Sequence, residues 1–160
     1  MSKRIVYIGA ERIGLACLRR FIDLKKNVVS VFTADDCLKH KIADFVAFDE
    51  NVESIPLYKV VNIKDPETIS LIKSFKPDLV VVISWSQIIP KEVLECAPLG
   101  CIGIHYSLLP ERRGGAPLNW AIIDGLKRSG ITLLFYDAGV DTGDIIAQKE
   151  FEITDIDTPR

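Results

Sequence analysis

A histidine and an aspartate in the second half of the chain could together carry out acid–base chemistry. His105 ends the apolar run Cys101–His105, and Asp141 lies in a turn-rich segment, residues 138–144. A carboxylate beside an imidazole fixes its tautomer and lets the ring act as a general base near neutral pH. The spacing in sequence does not bring these two residues together, so the fold must do so.

The strand that carries His105 is expected to end where ligands bind. Alternate side chains of a strand share a face, so residues 103 and 105 point the same way. His105 then lies at the carboxyl end of its strand, the edge at which open α/β sheets hold ligands. A buried histidine is more often a hydrogen-bonded core residue, and it is the presence of Asp141 that favours catalysis.

Two glycines, Gly9 and Gly14, enclose a turn between the first predicted strand and the first predicted helix. Nucleotide-binding folds place phosphates at this position. The spacing is not that of the dinucleotide fingerprint, and no lysine followed by serine or threonine comes after Gly14 to make a phosphate loop. The segment is therefore interpreted as a tight turn in which Gly14 packs near the sheet.

Short β-branched runs alternate with helical patterns along the whole chain. This alternation predicts an α/β fold with a Rossmann-like, mostly parallel twisted sheet and helices on both faces. Strands are predicted at residues 4–8, 28–32, 79–83, 101–105, 131–136 and 145–153, helices at 13–24, 66–75, 90–96 and 116–126, and short extended pieces at 45–48 and 57–61.

Composition narrows the possible functions. The 160 residues are 48% hydrophobic and carry a net charge of −2, with a pI near 5.7. That charge disfavours a protein that binds nucleic acid through a general basic field, and no apolar run approaches the roughly 20 residues of a membrane span. Four cysteines without metal-site spacing predict neither a zinc site nor disulfides. We expect one cytoplasmic domain over residues 1–160, truncated at its C-terminal end.

Three segments carry a resemblance to a known family. They are HYSLLP (105–110), RRGGAPLNWAI (112–122) and DTGDI (141–145). The chain resembles the N10-formyltetrahydrofolate-dependent formyltransferases, which include methionyl-tRNA, glycinamide-ribonucleotide and sugar-amine enzymes. The similarity covers essentially the whole chain and is strongest from Leu79 to Thr158. It implies the N-terminal catalytic domain of such an enzyme.

The resemblance implies catalytic roles for His105 and Asp141. The family uses an asparagine, a histidine two residues later and the aspartate of the later loop, and Gly103 stands at the asparagine position. Glycine has no side-chain donor for the formyl oxygen, and losing one such donor typically lowers a rate by about 10²–10³-fold. Three interpretations stay open: an enzyme with a rebuilt oxyanion site, a slow enzyme, and a binding protein without turnover. An asparagine restored at position 103 is expected to raise the rate.

The resemblance also implies where the substrates bind. Folate would lie between two loops, mainly through backbone contacts, and no metal is needed. The folate-binding candidates are Ser86, Gln87, Ile88 and Ile89 in one loop and Ala138, Gly139, Val140 and Asp141 in the other. The candidates for contacts with the acceptor are Tyr106, Ser107, Arg112 and Arg113. The two arginines could meet a diphosphate, because guanidinium groups match phosphate oxygens.

The acceptor is expected to be a small-molecule amine, an amino-deoxysugar on a nucleotide carrier. Glu11 stands where ribonucleotide enzymes have a phosphate loop and would repel a phosphate. Residues 33–54, where the transfer-RNA enzymes carry a basic insertion, are acidic here. The alternatives are methionyl-tRNA formyltransferase, a formyltetrahydrofolate hydrolase, and a non-catalytic folate- or nucleotide-binding homologue. The sequence does not indicate the oligomeric state.

Overall fold

The structure is a computed structural model that describes residues 2–48, 52 and 54–158. The chain divides into two compact units, Met1–Cys101 and Ile102–Arg160. The expectation that residues 1–160 form one domain stays a prediction. Among the helices of the described residues, none combines the length and apolar character needed to cross a membrane.

The first unit contains a parallel four-stranded arrangement with helical connections. Its strands follow the order β3-β2-β1-β4, and all three strand pairs are parallel. The strands are β1 (Ile5–Gly9), β2 (Val28–Ala34), β3 (Leu57–Val60) and β4 (Leu79–Ile83), and the helices are α1 (Glu11–Asp23), α2 (Pro66–Ser74) and α3 (Lys91–Leu94), with a short 3₁₀ turn at Asp36–Leu38.

The central strands of this unit are buried on both faces. Every residue of β1 is buried, as are four of the five residues of β4. Such continuous apolar runs are what parallel strands covered on two sides require. Helix α1 buries Gly14, Leu15 and Leu18. Helix α2 begins at Pro66, and proline suits this first position because a backbone N–H there would have no partner within the helix.

The predicted extended piece at residues 45–48 is not part of a strand. These residues adopt no regular secondary structure, although Phe48 is completely buried. A Cβ built on Gly14 would lie 3.5 Å from the ring of Phe48, so the phenylalanine packs against α1. The apolar pattern therefore reflects core packing rather than strand pairing.

The second unit is antiparallel. Its strands are β5 (Cys101–His105), which begins at the boundary residue, β6 (Arg128–Phe135) and β7 (Ile145–Glu152), and its helix is α4 (Pro117–Ile123). Strand β6 pairs with both β5 and β7, with Gly103 opposite Leu134 and His105 opposite Thr132. The predicted strands and helices other than residues 45–48 are confirmed to within a few residues, and the α/β class with them. The parallel part of the predicted sheet is strands β1–β4.

Candidate active site

The structure brings His105 and Asp141 together within the second unit. Strand β5 buries its alternate residues Cys101, Gly103 and His105, as predicted. The side chain of His105 is 8% exposed, and its Nδ1 lies 3.4 Å from Oδ2 of Asp141, which is 17% exposed. The pair therefore has the proximity that general-base chemistry needs, in a setting largely shielded from water.

A backbone carbonyl that sequence analysis missed orients the imidazole. The Nε2 atom of His105 lies 2.8 Å from the carbonyl oxygen of Arg112. Since a carbonyl oxygen only accepts, Nε2 must carry a hydrogen, and Nδ1, facing Asp141, is the nitrogen left to take up a proton. Arg112 adopts a left-handed backbone conformation, with φ of 56°. Residue types do not reveal such a contact, because any residue supplies a carbonyl.

Asp141 ties two loops together. Its Oδ2 accepts a hydrogen bond from the backbone N–H of Gly114 at 2.8 Å, and its carbonyl oxygen accepts one from Nε of Arg113 at 2.9 Å. Asp141 itself has a left-handed φ of 53°. The carboxylate thus holds the segment after β5 while it faces the imidazole.

The loop that carries Asp141 is braced from within. Asp137 accepts hydrogen bonds from the N–H of Gly139 at 3.0 Å and from the hydroxyl of Thr142 at 2.7 Å. A Cβ on Gly143 would overlap the carbonyl oxygen of Phe135, so only glycine fits there. These contacts fix the backbone path on both sides of Asp141.

The residues predicted to contact the acceptor substrate differ in their solvent exposure and in their hydrogen bonds. Arg112 pairs with Asp124 at 2.8 Å while its side chain stays 27% exposed, and Arg113 donates to the Asp141 carbonyl. Tyr106 is half-buried. Ser107 is only 1% exposed, and its hydroxyl donates to the carbonyl of Glu111 at 2.6 Å. The arginines therefore present part of their side chains to solvent, whereas Ser107 braces the loop.

Replacing Ser107 with alanine should lower the free energy of unfolding by about 1 kcal/mol, the usual contribution of one hydrogen bond. The KM for the acceptor should not change, since the hydroxyl points to Glu111. Urea unfolding and steady-state kinetics measure the two effects. Ser74→Ala is the matched control, because that exposed hydroxyl bonds only its own helix at Leu71. A raised KM with unaltered stability would show that Ser107 contacts the acceptor instead.

The predicted folate loop of the first unit is anchored by one glutamine. Gln87 accepts from the N–H of Ile63 and donates to the carbonyl of Val61, both at 2.8 Å. Ser86 is exposed, Ile88 is 69% exposed and Ile89 is 6% exposed. Ile89 is thus a core residue, and Ile88 presents an apolar side chain to solvent.

The predicted folate loop of the second unit is open to solvent on its apolar side. Ala138 and Gly139 are exposed, and Val140 is 57% exposed. Asp141, the fourth predicted residue, faces His105 and is mostly buried. Two kinds of surface therefore adjoin in this loop, an apolar one and a carboxylate.

The turn between β1 and α1 packs closely, as predicted. The hydroxyl of Tyr7 donates to the carbonyl of Gly14 at 2.6 Å, and a Cβ on Gly14 would lie 3.2 Å from the carbonyl oxygen of Ile83. Burial raises the pKa of the Glu11 carboxyl, the nearby charge of Asp44 raises it further, and a hydrogen bond from Ser84 partly opposes the shift. The turn confirms the interpretation of Gly14 as a packing residue.

Replacing Glu11 with glutamine should stabilise the protein above neutral pH. With its pKa raised on folding, the carboxyl adds stability that is complete below its unfolded pKa, near 4.5, and lost as the pH rises through the folded value. The gain should be below about 1 kcal/mol at pH 8, because the side chain is partly solvated, and should vanish below about pH 4. Urea unfolding at both pH values measures it.

The matched control for Glu11→Gln is Glu67→Gln. Glu67 also lies in the first turn of a helix, α2, and is exposed. Removing its charge takes away a favourable interaction with the helix dipole and should slightly lower stability at pH 8. A Glu11 variant that is also less stable at pH 8 would contradict the assigned effect of burial.

The described residues offer no cluster of three or more histidine, cysteine or acidic side chains that could hold a metal ion. Burial raises the pKa of the Cys101 thiol to about 12, with a smaller contribution from Cys96. A thiol of that kind stays protonated near neutral pH and is a poor nucleophile. Cys101 is therefore not a candidate nucleophile.

Comparisons with known proteins agree with this geometry. A family model described as formyl transferase matches residues 5–160. The chain is 41% identical over 154 residues to methionyl-tRNA formyltransferase of Clostridioides difficile (strain 630), covering 94% of this chain and 50% of the relative. It is 42% identical over 155 residues to the enzyme of the same name from Clostridium beijerinckii, again covering 94% and 50%. The chain thus spans about half the length of the curated relatives it matches.

Solved structures share the fold at low sequence identity. Phosphoribosylglycinamide formyltransferase from Bacillus halodurans superposes with a TM-score of 0.77 at 23% identity, over 98% of this chain and 83% of that one. HypX from Aquifex aeolicus, solved in complex with tetrahydrofolic acid, superposes with a TM-score of 0.65 at 24% identity, over 96% and 22%. These similarities confirm the α/β fold class.

Proposed function

Because the chain belongs to the formyl transferase family, we propose that it transfers a formyl group from N10-formyltetrahydrofolate to a primary amine. The observation that carries this proposal is the buried pair of His105 and Asp141, with Nδ1 and Oδ2 separated by 3.4 Å. The pair supplies a base for the proton that the amine sheds as it is acylated. Gly103 is compatible with turnover in such an enzyme.

The reaction exchanges one bond to the formyl carbon for another. The folate supplies the formyl group on a nitrogen; a bond forms between the acceptor nitrogen and the formyl carbon, and the bond from that carbon to the folate nitrogen breaks. Nδ1 of His105 accepts the proton of the acceptor nitrogen and returns it to the leaving nitrogen. The Asp141 carboxylate offsets the positive charge that the ring carries in between.

The residues proposed to contact the folate are those expected from the sequence, Ser86–Ile89 in the first unit and Ala138–Asp141 in the second. The observed exposure suits a flat, partly apolar ring system, because Ile88 and Val140 present apolar side chains to solvent, at 69% and 57% exposure. Backbone groups would supply the polar contacts. The side chain of Gln87 makes the hydrogen bonds that keep the first loop in place, so these bonds do not use the backbone N–H and carbonyl groups of the loop.

The relatives change the preferred acceptor. The sequence predicts a nucleotide-linked amino sugar as the acceptor, but relatives at 41% and 42% identity are methionyl-tRNA formyltransferases. We therefore place the amino group of methionyl-tRNA first as the acceptor. A nucleic-acid-linked substrate is then one of the expected partners. A cytoplasmic location stays a prediction.

The acidic segment after β2 keeps the amino sugar as a second candidate. Of its acidic residues, Asp35, Asp36 and Asp44 are described, and Asp36 pairs with Lys59 at 2.6 Å. Asp49, Glu50 and Glu53 of the same prediction lie outside the described residues. Excess negative charge weakens contact with an RNA backbone, and the partly exposed guanidinium of Arg112 suits a diphosphate.

One reaction series on the full-length protein distinguishes these acceptors. N10-formyltetrahydrofolate is incubated separately with methionyl-tRNA and with a panel of nucleotide-linked amino-deoxysugars, and each product is weighed by mass spectrometry. A formyl gain on methionyl-tRNA alone confirms the first candidate, and a gain on a sugar alone confirms the second. Formate release without an acceptor product identifies a hydrolase, and intact donor with every acceptor contradicts the proposed function.

A further inference from the structure

Tyr136 fills the space beside Gly103 on the face of β5 that carries His105. A Cβ built on Gly103 would lie 2.5 Å from the hydroxyl oxygen of Tyr136 and 2.5 Å from an edge carbon of its ring. Tyr136 follows directly after β6, whose Leu134 pairs with Gly103, and its side chain is half-buried. Glycine at position 103 is therefore what allows the phenol to lie against the strand.

The hydroxyl of Tyr136 occupies the side-chain position of residue 103, two residues before His105 on the same strand. Gly103 and His105 are both buried on one face of the strand, and residues two apart in a strand are separated by about 6.6 Å. A formyl group between the two positions would face the imidazole on one side and the hydroxyl of Tyr136 on the other. A neutral phenol donates a hydrogen bond, which a carbonyl oxygen accepts.

We propose that the hydroxyl of Tyr136 is the oxyanion donor of this site, hydrogen-bonding the formyl oxygen as negative charge develops on it. This inference rests on the proposed function. The phenol proton stays on Tyr136 throughout, so the transfer of the acceptor proton through His105 is unchanged. A positioned donor of this kind typically accelerates acyl transfer by about 10²–10³-fold. Gly103 then marks a rebuilt oxyanion site and not a lost one.

The pairing of Gly103 with Tyr136 alters the expectation for position 103. Any side chain there overlaps the phenol, so the ring must move out before the new side chain fits. Gly103→Ala removes the donor by displacement and supplies none. Gly103→Asn exchanges the phenol for an amide, and its rate should lie above that of Gly103→Ala rather than above the wild type.

The kinetic test uses the full-length protein with the acceptor identified by the reaction series. Tyr136→Phe should lower kcat by about 10²–10³-fold, Gly103→Ala should lower it similarly, and the double variant should fall no further. Tyr58→Phe is the matched control, because it removes a phenol hydroxyl from a ring stacked on Phe32 in the first unit. Wild-type kcat in Tyr136→Phe would overturn the inference.

Infrared spectroscopy supplies a measurement that does not depend on turnover. A 10-formyl dideaza analogue of the folate donor, labelled with ¹³C at the formyl carbon, is bound to the wild-type protein and to each variant in the absence of acceptor. A hydrogen bond from Tyr136 lowers the carbonyl stretching frequency, so the band should shift upward in Tyr136→Phe and stay in place in Tyr58→Phe. An unshifted band overturns this inference alone when the wild type transfers formyl. A wild type that neither binds the analogue nor transfers formyl overturns the proposed function, and the inference with it.

Discussion

Replacing His105 with alanine should lower the rate of formyl transfer by about 10²–10⁴-fold, the usual contribution of a positioned general base. The imidazole is the titratable ring that faces Asp141, and its Nδ1 is the nitrogen left to accept the proton. Single-turnover mixing of enzyme, donor and acceptor measures the chemical step directly. The affinity for the formyl donor should change far less than the rate, because the ring acts on the acceptor.

The chain contains its own control for this variant. His40 is the other of the chain's two histidines, and it is exposed in the first unit. His40→Ala should retain the wild-type rate. If His105→Ala were as active as His40→Ala, the acid–base role assigned to the pair with Asp141 would be wrong, and the proton would have to leave to solvent.

Replacing Gly143 with alanine should destabilise the protein by about 2 kcal/mol or more and abolish most of the activity. The added methyl group would overlap the carbonyl oxygen of Phe135 and lie 2.8 Å from its carbonyl carbon. Both atoms belong to the backbone of β6, which also donates from Phe135 N–H to the carbonyl of Asp144 at 2.9 Å. Because the overlapping atoms belong to the strand backbone and cannot rotate away as a side chain can, the loop that contains Gly143 must move, and Asp141 moves with it.

Gly115→Ala is the control for Gly143→Ala. A Cβ on Gly115 would meet no atom within 4 Å, and Gly115 lies in the neighbouring loop of the same unit. Thermal or urea unfolding and the transfer assay should separate the two variants clearly. Equal stability of both would show that the backbone of the Asp141 loop tolerates the shift, and the described rigidity of that loop would be wrong.

Apolar periodicity and turn residues predicted most of the secondary structure. The run Leu79–Ile83 is a strand because five consecutive apolar residues suit a position covered on both faces, and the structure buries four of them. Pro66 marked the start of α2 correctly. Phe48 could not be assigned in this way, since a single buried aromatic residue supplies core volume in a loop as well as in a strand.

The site was predictable where side-chain type carries the chemistry. His105 and Asp141 followed from an imidazole at a strand end and a carboxylate in a turn-rich loop, and the structure brings them together. The carbonyl of Arg112 and the phenol of Tyr136 were missed for different reasons. A backbone carbonyl leaves no mark in a sequence, and the overlap of Tyr136 with position 103 depends on how strand β6 ends, which periodicity does not specify.

Arg112 has two different roles, because its main-chain carbonyl contacts His105 while its side chain is a candidate for contact with the acceptor. The base is oriented by a main-chain atom of the loop whose side chains are candidates to meet the acceptor. Exchanging the Arg112 side chain keeps the orienting carbonyl in the chain, although it removes the ion pair with Asp124, whereas inserting or deleting one residue before Arg112 would move that carbonyl away from His105. For the proposed enzyme, acceptor preference is therefore better redesigned by substitution than by grafting a loop of another length, which would displace the carbonyl that orients His105.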